Sequence, residues 1–479
     1  MMSSRLVLTR ALALALGALF IVFTSSALAE GESAPQDDPE ARQEASGDKG
    51  DVERRLREVE QKLRLLERQR EVEQEMSAGK AKDAAIAGAG KDGFSVKSAN
   101  GVFVLKFRGL LHSDARYWGD DVAKPATDTF LLRRVRPILE GTVGKSFDFR
   151  FTPDFGEGKT VLQDAHADWR FAPSFKLRTG KFKTPFGLER LQSASDIVFV
   201  ERSLPTNLVP NRDLGIMVHG DVLEGVISYA AGVFNGVVDG GSADVDTNGS
   251  KETAGRVFFL PFKRGSHLSL QDLGIGVAAT YGANRGVPAS TSLPSYKTAR
   301  QQTFFAFLSD GTAAGTTVAD GRRYRFSPQA YWYVWRVGVL AEHVTSYQEV
   351  KRGANREDLK NTAWQATATF ALTDDRPTYR GVAPKRPFDP KAHAWGAFEI
   401  VARVGGLEVD ERAFTASAFA NPASSAREAR AWGAGLNWYL NRNVKLALDY
   451  ARTRFTGGAA AGADREDEKV LLHRIQIAF

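Results

Sequence analysis

The sequence predicts an all-β fold, a 16-stranded antiparallel transmembrane β-barrel preceded by a signal peptide and a short periplasmic coiled-coil helix. Three observations support this fold class. An apolar run near the N-terminus has the features of an export signal. After it no stretch of about 18 apolar residues remains, which excludes helical membrane spans. From Gly101 onward apolar and polar residues alternate with a period of two, the pattern of strands that face lipid on one side and water on the other.

Residues 1–29 are predicted to be a cleaved signal peptide. Arg5 and Arg10 flank the start of an apolar run that ends with an Ala-Leu-Ala sequence at 27–29. The run has about 13 residues, whereas a spanning helix needs about 20. We therefore expect export, with cleavage after Ala29, rather than a membrane anchor. The chain contains no Cys, so neither a disulfide framework nor a thiolate site is expected.

Three segments are predicted between the signal and the strands. Residues 30–50 are rich in acidic residues, Gly, Ser and Pro and are interpreted as a disordered linker. In residues 51–76 apolar residues recur at spacings of four and three, which predicts a coiled-coil helix. This helix either promotes trimer formation, contacts peptidoglycan or serves as a solvated spacer. Residues 77–100 are predicted to be a flexible hinge. The apolar seam of the helix consists of Val52, Leu56, Val59, Leu63 and Leu66.

Residues 101–479 are predicted to form the barrel, because a soluble sandwich would have to cover too many apolar faces. An even strand number returns both termini to the periplasm, with short turns there and longer loops outside. If Phe304–Leu308 is also part of a barrel strand, 18 strands are the alternative. The segment Asp374–Ala392 is long for a periplasmic turn. The last segment, ending at Phe479, resembles the assembly signal of outer-membrane barrels. The predicted strands lie near 102–118, 130–143, 146–154, 161–171, 174–182, 213–221, 224–234, 252–262, 272–284, 324–335, 336–350, 361–373, 393–405, 428–440, 443–454 and 467–479.

The barrel region carries the positive charge of the protein. Residues 30–100 hold 17 acidic and 13 basic residues, so the formal net charge of +7 originates elsewhere. An exported protein meets no nucleic acid, and we expect small anions and outer-membrane lipid as partners. A charge that faces mid-bilayer lipid costs roughly 2–4 kcal/mol, so alternation assigns the charged strand residues to the lumen. These are Lys106, Arg108, Arg134, Arg136, Arg150, Arg170, Lys176 and Arg178, with Asp148, Asp154, Asp164 and Asp168.

The densest basic cluster on any predicted strand is Arg133-Arg134-x-Arg136. If Arg134 and Arg136 line the lumen, they form two rungs of a ladder that offers guanidinium groups to phosphate-like oxyanions. The alternative is that these arginines only pair with Asp164 or Asp168. We favour a role in conduction, because a channel needs weak, repeated sites.

A strand-free segment, Lys183–Asp213, follows the fifth strand, where the loop of a general porin folds inward. Together with other stretches it resembles the phosphate-selective porin O and P family over essentially all of 101–479. The resemblance implies a trimeric, 16-stranded porin whose anion site falls on Arg133, Arg134, Lys181, Lys183 and Arg190. The matching stretches are 132–136, 180–202, 211–215, 231–236, 396–399 and 435–441.

The predicted function is therefore passive diffusion of anions across the bacterial outer membrane. Phosphate-binding members of the family that this chain resembles place a Lys after serines in the inward loop, whereas this chain has Asp196 there. A pore for a broader range of anions or for polyphosphate is therefore an equal alternative. The alternative function is a barrel anchor that tethers the outer membrane to the cell wall through the coiled coil. Predicted anion-binding and pore-lining residues are Arg133, Arg134, Arg136, Arg150, Arg178, Lys181, Lys183 and Arg190.

No enzymatic activity, catalytic residue, metal or cofactor is predicted. Gly156–Thr160 resembles the end of a phosphate-binding P-loop, but Pro153 stands where the first Gly belongs, and the segment is interpreted as an extracellular loop. The seven His residues show no metal-ligand spacing. No Ser and His pattern indicates a barrel lipase.

Overall fold

The computed structural model describes residues 45–90, 92–119, 127–246, 249–299, 301–415 and 419–479. The predicted signal peptide with its cleavage site, and most of the predicted linker 30–50, lie outside these ranges. The chain divides into two compact units, the first ending at Gly79 and the second running from Lys80 to Phe479.

A single long helix, α1 (Ala45–Asp83), dominates the first unit. It contains the predicted helix 51–76 and extends beyond it at both ends, with no Pro to interrupt it. Its five seam residues each expose between 55% and 62% of their surface, so the apolar stripe faces solvent in the monomer. None of the helices in the described part of the chain carries an apolar stretch long enough to cross a membrane.

The segment 77–100 differs from the flexible hinge that the sequence predicted. It contains the end of α1 and a hairpin of two strands, β1 (Ile86–Gly90) and β2 (Gly93–Lys97). β2 pairs with residues 104–107, at the start of the following strand. This pairing satisfies backbone hydrogen bonds that a free Gly- and Ala-rich segment would make only with water.

Sixteen antiparallel strands form a closed barrel, which confirms the predicted strand number. They are β3 (Val104–Trp118), β4 (Thr129–Val143), β5 (Phe147–Asp154), β6 (Val161–Ala172), β7 (Phe175–Lys183), β8 (Arg212–Val222), β9 (Ile227–Phe234), β10 (Glu252–Phe259), β11 (Leu273–Arg285), β14 (Val318–Val334), β15 (Val337–Arg352), β16 (Asn355–Ala371), β19 (Ala397–Glu408), β20 (Ala426–Tyr439), β21 (Val444–Gly457) and β22 (Glu468–Ala478). Closure comes from β22, which pairs with β3.

Side chains alternate between the two faces of the barrel as predicted. On β6, Trp169 exposes 44% of its surface, while its neighbour Asp168 exposes 9% and meets an arginine from β7. On β8, Ile216 exposes 58% and Met217 exposes 5%. The apolar face is outside, because only lipid can cover it without loss of hydrogen bonds, and the polar side chains face the lumen.

The C-terminal ring rests on a glycine at the closing seam. Phe479 forms backbone hydrogen bonds with Gly109 in both directions, at 2.9 and 3.0 Å. Its ring centroid lies 5.9 Å from that of Phe94 in β2. A Cβ at position 109 would approach the Phe479 ring to 2.6 Å, so this contact requires glycine.

Two further strands, β12 (Ser295–Lys297) and β13 (Thr303–Ala306), pair only with each other. The alternative of 18 barrel strands is therefore wrong, because this hairpin lies within a connecting loop. Its buried aromatic residues join an apolar cluster with Leu204 and Leu208, from the connection after β7, and with inward residues of the wall. Loops thus fill part of the lumen with apolar side chains.

The long connection between β16 and β19 also turns into the barrel. It contains a small hairpin, β17 (Pro377–Thr378) and β18 (Gly381–Val382). The neighbouring Tyr379 stacks on Tyr331 of β14, with ring centroids 5.0 Å apart. This connection, which is long for a periplasmic turn, therefore folds into the lumen at the periplasmic end of the barrel.

Candidate functional site

The arginine cluster of β4 contains a β-bulge. His112 of β3 pairs with Arg134 and Ser113 pairs with Leu132, so Arg133 is the extra residue. A bulge interrupts the alternation of side chains and re-aims the residue that it inserts. Arg133 and Arg134 consequently both contact Glu201, which comes from the connection after β7. Strict alternation would have placed Arg133 on the lipid side.

The connection between β7 and β8, residues 184–211, folds into the lumen and is hereafter the inward loop. Polar side chains of the opposite wall hold its backbone. Lys445 donates to the carbonyl of Ile197 at 2.8 Å, and Asn437 donates to that of Val198 at 2.8 Å. The remaining wall contacts join Arg474 to Val200, Gln476 to Ser195 and Asp449 to Val200.

A short helix in the inward loop, α2 (Leu188–Leu191), is held by a carboxylate of β15. Glu342 accepts hydrogen bonds from the backbone N–H groups of Leu188 at 2.7 Å and Glu189 at 3.2 Å. Arg403 of β19 lies 3.4 Å from the Glu189 carboxylate. The loop is thus fixed to one side of the barrel, which leaves the wall around β4 to β8 open.

Glu201 joins the inward loop to arginines of β3, β4 and β22. Its carboxylate lies 2.7 Å from Arg133, 3.1 Å from Arg116, 3.8 Å from Arg474 and 3.9 Å from Arg134. Burial opposes ionisation, but Arg133 and Arg134 hold the pKa of Glu201 well below its usual range. Asp114 pairs with Arg474 and Arg116, and Glu157 pairs with Arg133. Three carboxylates therefore face the four guanidinium groups, and one positive charge is left in excess.

That excess borders a cavity of about 200 Å³, hereafter the upper cavity. It is lined on one side by the β4 cluster and on the other by the inward loop. Eight basic side chains face two acidic ones there, so its electrostatic potential favours anions. The basic residues are Arg133, Arg134, Arg136, Lys159, Lys183, Arg190, Arg202 and Arg212, and the acidic residues are Asp154 and Glu157.

Among these basic groups, Lys183 of β7 and Arg190 and Arg202 of the inward loop have no carboxylate within 4 Å in the described part of the chain. They donate instead to backbone carbonyl groups, Lys183 to Gln192 at 2.6 Å and Arg190 to Thr206 at 2.6 Å. Burial, with the nearby charges of Arg202 and Arg212, lowers the pKa of Arg190 to about 9. A mobile anion would relieve this repulsion.

A second cavity of about 400 Å³, the lower cavity, adjoins the first. Arg136, Lys183, Ala194 and Arg212 line both cavities, so three basic side chains stand on the boundary between the cavities, hereafter the passage. The upper cavity includes the β5–β6 connection, whereas the lower one reaches the short β8–β9 turn. Short turns face the periplasm in outer-membrane barrels. The two cavities are therefore stacked along the barrel axis.

The structure places the predicted site residues in three groups. Arg133, Arg134, Arg136, Lys183 and Arg190 line the upper cavity. Arg136 and Lys183 also line the lower cavity, together with the remaining predicted arginines of β5 and β7, Arg150 and Arg178.

Lys181 lines neither cavity. It stands three residues from Arg178 and so on the other face of β7, where its ammonium group pairs with Asp244. The alternative to a role in conduction, a pairing of the β4 arginines with Asp164 or Asp168, is absent from the described contacts. Asp164 pairs with Arg212 at 3.0 Å and Asp168 with Arg178 at 2.7 Å.

Sequence reasoning missed Lys159, Arg202 and Arg212 as members of the site. Arg202 and Arg212 belong to the stretches that carry the family resemblance, which is the signal that would have found them. The described residues hold no group of three or more His, Asp or Glu side chains with the geometry of a metal site.

A closed 16-stranded barrel with an apolar outside, a polar lumen and a loop that narrows it defines an outer-membrane porin. The sequence profile of the family "Phosphate-selective porin O and P" matches residues 105–479. The chain belongs to this family and is a protein of the bacterial outer membrane.

The chain is also similar to two curated proteins and, in fold, to a solved structure. Porin O of Pseudomonas aeruginosa is 22% identical over 415 residues, which cover 81% of this chain and 91% of that protein. An uncharacterized protein of Aquifex aeolicus is 32% identical over 109 residues, or 20% of this chain and 26% of that protein. The outer-membrane channel DcaP of Acinetobacter baumannii shares the fold, with a TM-score of 0.52 and 12% identity over 80% of this chain and 99% of DcaP.

Proposed function

We propose that this porin is a passive, anion-selective diffusion channel for phosphate, polyphosphate or similar small anions. The observation that carries the proposal is the passage between the two cavities, which is bordered by Arg136, Lys183 and Arg212. Three basic groups against the two carboxylates that pair with Arg136 and Arg212 leave this passage with a net positive charge, which repels a cation and attracts an anion.

The arrangement of partners supports weak, repeated binding. Arg136 and Arg212 are each paired with one carboxylate, at 2.7 and 3.0 Å, so neither holds a passing anion alone. In the described part of the chain Lys183, Arg190 and Arg202 donate only to backbone carbonyl groups, so no fixed carboxylate competes with a mobile ion for them. Conduction requires sites that attract an ion and then release it.

Guanidinium groups favour oxyanions over halides, because their planar N–H donors match two oxygens at once. Six arginines line the upper cavity, together with Lys159 and Lys183. Asp196, which the sequence suggested as an unfavourable charge, lines neither of the two cavities and belongs to a separate one near Arg380. These observations favour phosphate-like anions among the possible solutes.

The test compares two lysines of the same strand. Lys183→Gln removes one charge from the passage and keeps a side-chain donor for the loop carbonyl groups. Lys181→Gln removes the same charge two residues away, outside both cavities. In planar bilayers with a salt gradient, we expect the first variant to lower the anion-to-cation permeability ratio and the second to leave it near that of the unmodified channel.

A reversal potential that is the same for Lys183→Gln and the unmodified channel would overturn the proposal. Phosphate and pyrophosphate added to a chloride solution measure the preferred anion. A phosphate-type channel shows a decrease in chloride current at low phosphate concentration, and a general anion pore shows none.

We also propose that the protein forms a homotrimer and that α1 contributes to it. The seam has Leu at the a positions 56 and 63, and two of its three d positions, Val52 and Val59, are β-branched, while the third is Leu66. Leu at a with a β-branched residue at d favours three or four strands over two. The exposure of this seam supports association with further copies of the chain. Peptidoglycan contact by the same helix is the tether function, the second candidate.

Deletion of residues 51–75 separates these roles. We expect unchanged single-channel conductance, because no α1 residue lines a cavity described above, and a trimer that dissociates at lower temperature on native gels. A trimer of unchanged stability together with a weakened envelope would favour the tether instead.

A further inference from the structure

The turn between β5 and β6 is seated on the bulge of β4. A Cβ at Gly156 would lie 2.6 Å from the backbone carbonyl oxygen of Arg133, so only glycine permits this approach. Glu157 and Gly158 both have positive φ values, 58° and 67°. Glu157 is not glycine, and a left-handed backbone is uncommon for such a residue. The backbone therefore turns in a way that brings the next side chains to the upper cavity.

The Glu157 carboxylate lies 3.0 Å from Nη1 of Arg133, whose Nε lies 2.7 Å from Glu201. The two carboxylates differ in environment. The side chain of Glu201 is 3% exposed and that of Glu157 is 37% exposed. Glu201 thus anchors Arg133 to the inward loop, whereas Glu157 neutralises the part of the guanidinium group that solvent reaches.

The other acidic residue of the upper cavity, Asp154, is fixed more firmly. It accepts hydrogen bonds from Arg136 and from the backbone N–H groups of Val135 and Gly156. For Glu157 the described contact is the single one to Arg133. An ion pair whose carboxylate is 37% exposed and makes one contact is weak and opens readily.

We propose that Glu157 is a resident counter-ion of the channel, a carboxylate that occupies the place on Arg133 that a passing anion takes and so limits how tightly the upper cavity holds that anion. An anion that enters displaces the carboxylate, and the carboxylate returns as the anion leaves. Release is faster than it would be from an uncompensated cluster of eight cations. This inference rests on the proposed anion channel and names a residue that tunes it.

The test uses inorganic phosphate as the probe, titrated against a chloride current in planar bilayers with the full-length protein. Glu157→Gln keeps the shape of the side chain and removes its charge. We expect the phosphate concentration for half-block to fall about three- to tenfold. This is the range expected when one negative charge is removed from a partly hydrated anion site.

Two variants serve as controls. Glu349→Gln removes the same charge at the same end of the barrel, from a carboxylate that pairs with Arg322 at 2.6 Å and lines neither cavity, and should leave the half-block concentration unchanged. Lys159→Gln changes the same turn with the opposite sign and should raise the half-block concentration. If Glu157→Gln and Lys159→Gln shift it in the same direction, the effect comes from the turn and the inference is overturned.

The two proposals fail in different ways. If Lys183→Gln lowers anion selectivity while Glu157→Gln behaves like Glu349→Gln, Glu157 is not a counter-ion and the anion channel stands. If Lys183→Gln has no effect, the anion channel itself is wrong.

Discussion

The phenolic hydroxyl of Tyr379 donates a 2.5 Å hydrogen bond to the backbone carbonyl of Leu188. The backbone carbonyl of Tyr379 in turn accepts one from the side chain of Gln192 at 2.7 Å. A segment from the periplasmic end of the barrel thus supports the inward loop from below, while Glu342 holds the same helical turn from the wall. The width of the channel depends on both supports.

Tyr379→Phe removes the hydroxyl and should leave the loop more mobile. A hydrogen bond of this kind contributes about 1 kcal/mol. We expect more open-channel noise and more frequent partial closures in single-channel recordings, with an unchanged reversal potential because no charge is altered. Tyr324→Phe, in a ring pair with Tyr347 at 4.2 Å that lines neither cavity, is the control. Equal noise in the two variants would show that Tyr379 does not support the loop.

Arg134→Ala should reduce the preference for anions. Arg134 lines the upper cavity and donates to His112 at 3.1 Å, so its loss removes one charge from the ladder. We expect the anion-to-cation permeability ratio to fall about two- to tenfold in a salt gradient. Arg322→Ala, whose side chain is 66% exposed, should change little. An unchanged reversal potential would remove Arg134 from the site.

Glu201→Gln should destabilise the inward loop. Loss of one partner of a buried ion pair costs roughly 3–5 kcal/mol, because the opposite charges are left uncompensated. The expected result is a lower temperature of barrel unfolding and a noisier channel. A variant as stable as the unmodified protein would show that other contacts suffice to hold Arg116 and Arg133.

The same carboxylate predicts resistance to acid. The pKa of Glu201 is depressed in the folded protein, so its contribution to stability is complete above its unfolded value and is lost only as pH falls through the folded one. Unfolding temperature at about pH 5 should therefore still differ between Glu201→Gln and the unmodified protein. Convergence of the two at that pH would contradict the ion-pair account.

Gly109→Ala should weaken barrel closure. The added methyl group would meet the Phe479 ring at 2.6 Å, and such overpacking costs roughly 1–3 kcal/mol. Gly255→Ala on β10 is the control, because its nearest neighbour lies at 3.9 Å. We expect the first variant alone to unfold at a lower temperature in detergent. If both variants unfold at the same temperature, the seam tolerates displacement of the Phe479 ring.

The sixteen strands were predictable because lipid and water impose opposite demands on neighbouring residues. Trp169 and Asp168 show this on β6, and the pattern needs no knowledge of which strands pair. The same rule assigns Arg136, Arg150 and Arg178 to the lumen side, and all three line the lower cavity. Local alternation therefore gave both the fold class and most of the cationic wall.

Alternation failed where the strand is irregular or ends. The bulge that turns Arg133 toward Glu201 depends on the register between β3 and β4, which no local pattern records. Lys181 and Lys183 differ by two residues, yet the first pairs with Asp244 and the second reaches the inward loop, because the chain leaves the barrel wall at that point.

By itself the sequence determined the barrel and predicted 16 or 18 strands and a cationic lumen, since these follow from the energy of each residue in lipid or water. Only the tertiary structure decided which cations share one cavity, because that depends on how residues distant in the chain, such as Glu201, Glu342 and Tyr379, hold the inward loop across the lumen.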